Sequence, residues 1–113
     1  MIRIYHNPRC KTSRAGMEHL KQKDIPFETR EYLKEPLSEE ELKTLFSKLD
    51  QQPSEVIRTQ EKIYKEQYKG KEMNEADWIK ALAENPKLLH RPIVETDEKA
   101  VLAQPPEKMD KII

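Results

Sequence analysis

Hydrophobic and polar residues alternate at the start of the chain, Ile2-Arg3-Ile4-Tyr5, which is the period of a half-buried strand. Asn7-Pro8 then signals a turn. From residue 11 to 23 the period lengthens, with Ala15, Met17 and Leu20 as the apolar stripe of a helix. Asp24-Ile25-Pro26 stops it, because the residue before a proline is pushed out of helical geometry. Phe27 to Leu33 alternates again and predicts a second strand. A strand, a helix and a strand in that order form a βαβ unit, so these two strands are expected to lie parallel with a right-handed crossover.

Between Leu37 and Leu89 no stretch reads as a convincing strand. Ser38-Glu39-Glu40-Glu41 is a capping box opening a helix whose core stripe is Leu42, Leu45, Phe46 and Leu49. Pro53-Ser54 begins a short helix through Val56, Ile57 and Arg58, and Ile63, Tyr64 and Tyr68 mark another that stops near Gly70. Asn74 caps a helix in which Trp78, Ile79, Leu82 and Ala83 share a face, ending at Asn85-Pro86. Trp78, Tyr64 and Tyr68 read as core. Strands return at Ile93–Glu95 and Ala100–Ala103, joined by four residues suited to a hairpin turn. Pro105-Pro106 opens a last helix carrying Met109, Ile112 and Ile113. The expected fold is α/β: one domain over residues 1–113, with a four-stranded mixed sheet. A helical insertion, about 37–89, separates its β-α-β and β-β-α halves.

Composition changes this picture little. Charged residues make up 37% of 113 residues, yet 21 acidic and 21 basic side chains cancel. The mean hydropathy is −0.96; the clear apolar periods nonetheless point to a folded domain with a charged surface. Zero net charge gives no general reason to expect nucleic acid or an acidic membrane as partner. No apolar run is long enough for a membrane span and no signal-peptide core opens the chain, so a cytoplasmic protein is expected. The single cysteine fits a reducing compartment. No spacing of His, Cys and carboxylates points to a metal site.

That cysteine, Cys10, stands between the first strand and the first helix. A thiol there meets unpaired backbone N–H groups and the positive end of the helix dipole, and both favour the thiolate. Arg9, Lys11 and Arg14 add positive charge nearby. Such settings lower a thiol pKa from ~8.5 to roughly 3.5–7.5. A lone cysteine is more often a small buried hydrophobe. The polar and charged neighbours of Cys10 make a poor core, and the nucleophile reading is preferred. His6 is a candidate for setting the protonation of the thiol, or equally for a structural hydrogen bond to the loop.

His6-Asn7-Pro8-Arg9-Cys10-Lys11-Thr12-Ser13-Arg14 resembles the active-site loop of the glutaredoxin-linked arsenate reductases. Ile57-Arg58-Thr59-Gln60-Glu61, Tyr64-Lys65-Glu66 and His90-Arg91-Pro92-Ile93-Val94 resemble later blocks of that family in the same order. The resemblance spans almost the whole chain and implies a thioredoxin/glutaredoxin-like fold with a helical insertion. It implies that Cys10 attacks arsenate, that glutathione attacks the thiol-bound arsenate as co-substrate, and that a glutaredoxin completes reduction to arsenite. No bound cofactor is implied. Of the three arginines that hold the oxyanion in the family, Arg58 and Arg91 match two; on residue type alone each is more often a solvated surface charge. Gln104 stands where the third would fall, and a glutamine brings no charge and no guanidinium fork.

Thr12, Ser13 and Arg14 complete the loop, and the resemblance makes Pro92 the cis-proline of the fold. Ser13 occupies the position of a second redox cysteine, so a resolving thiol must come from outside. A monomer is expected. Two other readings stay open: a non-enzymatic regulator resembling the Spx proteins, which bind RNA polymerase, and a thiol reductase acting on another oxyanion or on a glutathione adduct.

Overall fold

A computed structural model describes residues 1–113 and joins four strands in one sheet, in the order β2-β1-β3-β4. The strands are β1 (Ile2–Tyr5), β2 (Phe27–Arg30), β3 (Ile93–Glu95) and β4 (Ala100–Leu102). β1 and β2 pair in parallel, as the βαβ reading requires, with Ile2 opposite Phe27 and Tyr5 opposite Arg30. β1–β3 and β3–β4 are antiparallel. Between β2 and β3 lie α2 (Glu39–Lys48), a 3-10 turn at Pro53–Val56, α3 (Lys62–Gln67), α4 (Glu75–Glu84) and a second 3-10 turn at Pro86–Leu88. This is the expected mixed sheet with its helical insertion.

Side-chain alternation along the central strands divides the core. Tyr5 and Ile93 point to the face covered by α2 and α4, where Leu42, Leu45, Trp78 and Leu82 are buried. Tyr64 stacks against Trp78 at 6.4 Å and Tyr68 tilts against it at 6.2 Å; Trp78 is core, and the two half-buried tyrosines pack against it. Ile4 and Val94 point to the other face, where Leu20 and Met109 complete a smaller cluster. That side is closed by α1 (Lys11–Lys21) and by the C-terminal helix, which is a 3-10 helix over Pro106–Lys111. The expected capping box of Ser38 with Glu41 forms, and Asn74, expected as a cap, forms a box of its own with Asp77.

Several details differ from the sequence reading, among them the last strand, which ends at Leu102 and not Ala103. The first helix ends at Lys21, and Gln22–Asp24 form a turn in which Asp24 takes a left-handed conformation at φ 55°, one that Asp adopts more readily than most residues. The second strand ends at Arg30, not Leu33, because Arg30 faces the last residue of β1. Beyond it the Arg30 guanidinium binds the carbonyls of Glu35 and Pro36 and the Glu41 carboxylate, which turns the chain away from the sheet. The short helix after Pro53 stops at Val56, because Ile57 is extended and forms an antiparallel bridge with Leu89. The buried face of α1 is Ser13, Gly16 and Leu20 with Met17 half-buried, whereas Ala15 is exposed.

Candidate active site

Cys10 is the N-cap residue of α1, in extended geometry at φ −97° and ψ 125°. Its amide donates to the Asn7 carbonyl at 3.0 Å, closing a turn over Asn7–Cys10. The Asn7 side chain accepts from the Arg9 amide at 3.0 Å, so Asn7 folds this turn from both its backbone and its side chain. The thiol is half-buried. Burial alone would push its pKa up; the Ser13 amide, the Arg91 guanidinium and the Thr12 amide outweigh it and hold the thiol below its ordinary value.

The cations that act are therefore not those next to Cys10 in the sequence. Arg9 and Lys11 are exposed, and Arg14 donates to the Pro8 carbonyl at 3.0 Å. Arg14 braces the loop, and the charge on the thiol comes from Arg91, far along the chain.

Ser13 is fully buried and ties the loop to the end of β1. Its Oγ accepts the Asn7 amide at 3.0 Å and lies 2.7 Å from His6 Nδ1. Burial, with Lys21 and Arg14, lowers the His6 pKa against the opposing pull of Glu31. A neutral imidazole accepting the Ser13 hydroxyl proton at Nδ1 satisfies all three groups. This contact is the structural hydrogen bond to the loop that was one of the two roles expected of His6.

The opposite wall is assembled by the Ile57–Leu89 bridge. The Arg58 amide donates to the Leu88 carbonyl at 2.7 Å and the His90 amide to the Val56 carbonyl at 2.9 Å. These two bonds set Arg58 beside His90 and Arg91. The two arginines are not equivalent. Arg58 donates from Nε to the Glu61 carboxylate at 3.1 Å. Arg91 Nε is buried without a hydrogen-bond partner, as is His90 Nδ1. Burial and the charges of Arg58 and Arg91 keep the His90 pKa low.

Pro92 follows Arg91 through a cis peptide bond, as the resemblance implied, and Gln104–Pro105 is also cis. The Pro92 ring packs against Gly16 of α1, so closely that a Cβ at Gly16 would overlap it. This contact seats the Arg91 segment against the thiol helix. Gln104 does not project as a free side chain: its amide nitrogen donates to the Arg91 carbonyl, and the Ala103 amide donates to the Pro92 carbonyl at 2.9 Å. Gln104 thus stitches the segment in place.

Two residues of this wall were not singled out from the sequence. Tyr32 is buried, with its hydroxyl 3.5 Å from the Leu89 carbonyl. Burial pushes its pKa up to about 12, with Arg91 and Arg58 opposing and the Cys10 charge adding to the rise. Its position in the expected second strand gave no hint of this. His90 did carry a signal, since it opens the His90-Arg91-Pro92 block. No three His, Cys, Asp or Glu side chains are grouped to hold a metal ion, and no helix is long and apolar enough to cross a membrane. The arrangement can hold a thiolate and an oxyanion together, with amides on one side and guanidinium groups on the other.

The family model described as ArsC family matches residues 5–112. An arsenate reductase of Neisseria meningitidis is 34% identical, covering 99% of this chain and 97% of its own length. The global transcriptional regulator Spx of Enterococcus faecalis is also 34% identical, covering 88% of this chain and 75% of its own. Among solved structures, an arsenate reductase from Vibrio cholerae superposes with a TM-score of 0.93 at 35% identity, over 99% of this chain and 97% of that one. The fold is thioredoxin-like.

Proposed function

The chain belongs to the ArsC family, and on that premise we propose that it reduces arsenate to arsenite with electrons from glutathione and a glutaredoxin. The observation that carries this reading is a half-buried thiol at a helix start, lowered by the Ser13 and Thr12 amides and by Arg91, whose Nε is otherwise unpartnered. Arsenate reductases among its relatives support the reaction. Ser13 in place of a second cysteine supports electron donors from outside the chain.

In this reading the Cys10 thiolate attacks arsenic(V); a sulfur–arsenic bond forms and one oxygen leaves as water after protonation. Arg91 and Arg58 hold the remaining oxygens. The glutathione sulfur replaces a second oxygen, again with loss of water. A glutaredoxin thiolate then attacks the glutathione sulfur. That sulfur–arsenic bond breaks, its electron pair stays on arsenic, and glutathione leaves as a mixed disulfide with glutaredoxin. Water releases arsenite from Cys10, and a second glutathione clears the mixed disulfide. The sum is arsenate and two glutathiones giving arsenite, glutathione disulfide and one water. The protein works as one domain and as a monomer, in a reducing cytoplasm.

Arsenite release from arsenate, glutathione and a glutaredoxin tests the proposal. The parent protein should turn over, and Cys10→Ser should lose all turnover with an unchanged circular dichroism spectrum. No arsenite from the parent protein, together with binding to RNA polymerase, would instead assign it the regulator role of the Spx relatives.

A further inference from the structure

A cavity of about 240 Å³ lies against the thiol loop, and neither Arg58 nor Arg91 lines it. Asn7, Pro8 and Arg9 form one side of it, and Glu31, Leu33 and Lys34 the other. Tyr32, between the last three in sequence, turns inward toward Arg91; its neighbours line the cavity. We propose that this cavity binds glutathione, so that the reductant reaches Cys10 across the loop while the oxyanion is held from the arginine side. The inference rests on glutathione being the reductant, as proposed above.

Charge is the first argument. The cavity carries two cations, Arg9 and Lys34, and one carboxylate, Glu31. Glutathione carries two carboxylates and one ammonium, the complementary set. A bare oxyanion would meet Glu31 with no cation of its own to offer it. Arg9 makes no ion pair and is exposed, so its guanidinium is free for a ligand carboxylate. Lys34 and Glu31 do face each other at 3.4 Å, but the Lys34 side chain is 78% exposed. An exposed pair of that kind opens at little cost. Leu33 is exposed and offers an apolar contact for the methylene stem of the γ-glutamyl group.

Reach is the second argument. Asn7 to Cys10 is a single hydrogen-bonded turn, whose ends are no more than about 7 Å apart. An extended tripeptide spans about 10 Å. Cys10 does not line the cavity but follows Arg9 directly. A molecule anchored at Lys34 and Arg9 therefore has to extend its central cysteine only past Arg9 to meet the group carried by Cys10, where its sulfur replaces an arsenic-bound oxygen as water.

The test uses S-methylglutathione, which keeps the three charges and cannot react. Its titration into the reduced protein should shift the amide resonances of Asn7, Arg9, Glu31, Leu33 and Lys34. Lys34→Glu should weaken that binding about fivefold or more, by replacing an attraction with a repulsion. The same variant should raise KM for glutathione by a similar factor and leave KM for arsenate unchanged. Shifts confined to the Arg91 segment, or equal binding by parent and Lys34→Glu, would overturn the cavity assignment even where glutathione drives arsenite release. Failure of glutathione to drive any release would overturn the reaction proposed above; the resonance shifts still decide whether the cavity takes the tripeptide.

Discussion

The two walls of the site are built in opposite ways. The loop from His6 to Arg14 satisfies itself: Asn7 folds the turn, Ser13 pins it to His6, and Arg14 ties back to Pro8. These side-chain partners lie within a few residues, and the His6 amide anchors the loop to β2 through the Arg30 carbonyl at 2.9 Å. The wall bearing Arg58, His90 and Arg91 has no such local closure. It depends on the Ile57–Leu89 bridge, on Gly16 accepting Pro92, and on Gln104 holding the Arg91 carbonyl. It also retains two buried nitrogens without partners, on His90 and Arg91. The loop's side-chain hydrogen bonds are local, but the Arg91 charge that tunes its thiol comes from the second wall. A buried donor left unpaired costs about 1–3 kcal/mol, which a bound oxyanion would relieve at Arg91.

The strongest way to break this comparison is Gly16→Ala. A Cβ there meets the Pro92 ring, whose side-chain atoms are tied back to the backbone nitrogen and have little room to move aside. The expected cost is about 3 kcal/mol of stability, in the range of overpacked cores, read as a lower urea midpoint at unchanged slope. Folded protein should also show a thiol pKa closer to ordinary, because the Arg91 segment is pushed off. An unchanged midpoint would mean that the two walls are not wedged together at this point.

Arg91→Ala and Arg58→Ala separate the contributions within the second wall. Losing Arg91 should weaken arsenate protection of Cys10 from alkylation by about 1.5–3 kcal/mol, or roughly ten-fold to a hundred-fold. Losing Arg58, part of whose guanidinium is already engaged by Glu61, should cost about 1 kcal/mol or less. Equal losses would contradict the asymmetry between them.

The same pair sharpens a pH prediction. The folded thiol titrates below its unfolded value, so the thiolate contributes stability above the unfolded value, near ~8.5, and this is lost as pH falls through the lowered folded value. Alkylation of Cys10 should gain rate across the same window as pH rises. Arg91→Ala should move the midpoint upward; Arg58→Ala should not. A parent midpoint at or above ~8.5 would remove the activated thiolate from the account.

The smallest effect concerns Gln104. Gln104→Ala removes one neutral hydrogen bond to the Arg91 carbonyl and should lower arsenate affinity by about 0.5–1.5 kcal/mol. If Gln104 acts through Arg91, its loss should have no further effect in an Arg91→Ala background. Additive losses would instead mean that Gln104 meets the anion itself, as its place in the sequence had implied.

The sequence by itself determined the β-α-β and β-β-α halves, the Ser38 capping box and the Asn74 cap of the insertion, and a cysteine at the start of a helix. Each of these is written in residues a turn or a strand apart, where period and cap chemistry act directly. The residues of the second wall were visible in the sequence as the Arg58 and His90-Arg91-Pro92 blocks. Their convergence, the inward turn of Tyr32, the partnership of Ser13 with His6 and the redirection of Gln104 were decided only by the tertiary structure. So was the identity of the cation beside the thiol, which adjacency had assigned to Arg9, Lys11 and Arg14. Such pairings are set by sheet register and by how the insertion docks, and the contacts that fix them join residues far apart in the chain. Local pattern carries no record of that distance, so the electrostatics of Cys10 became readable only when Gly16 met Pro92.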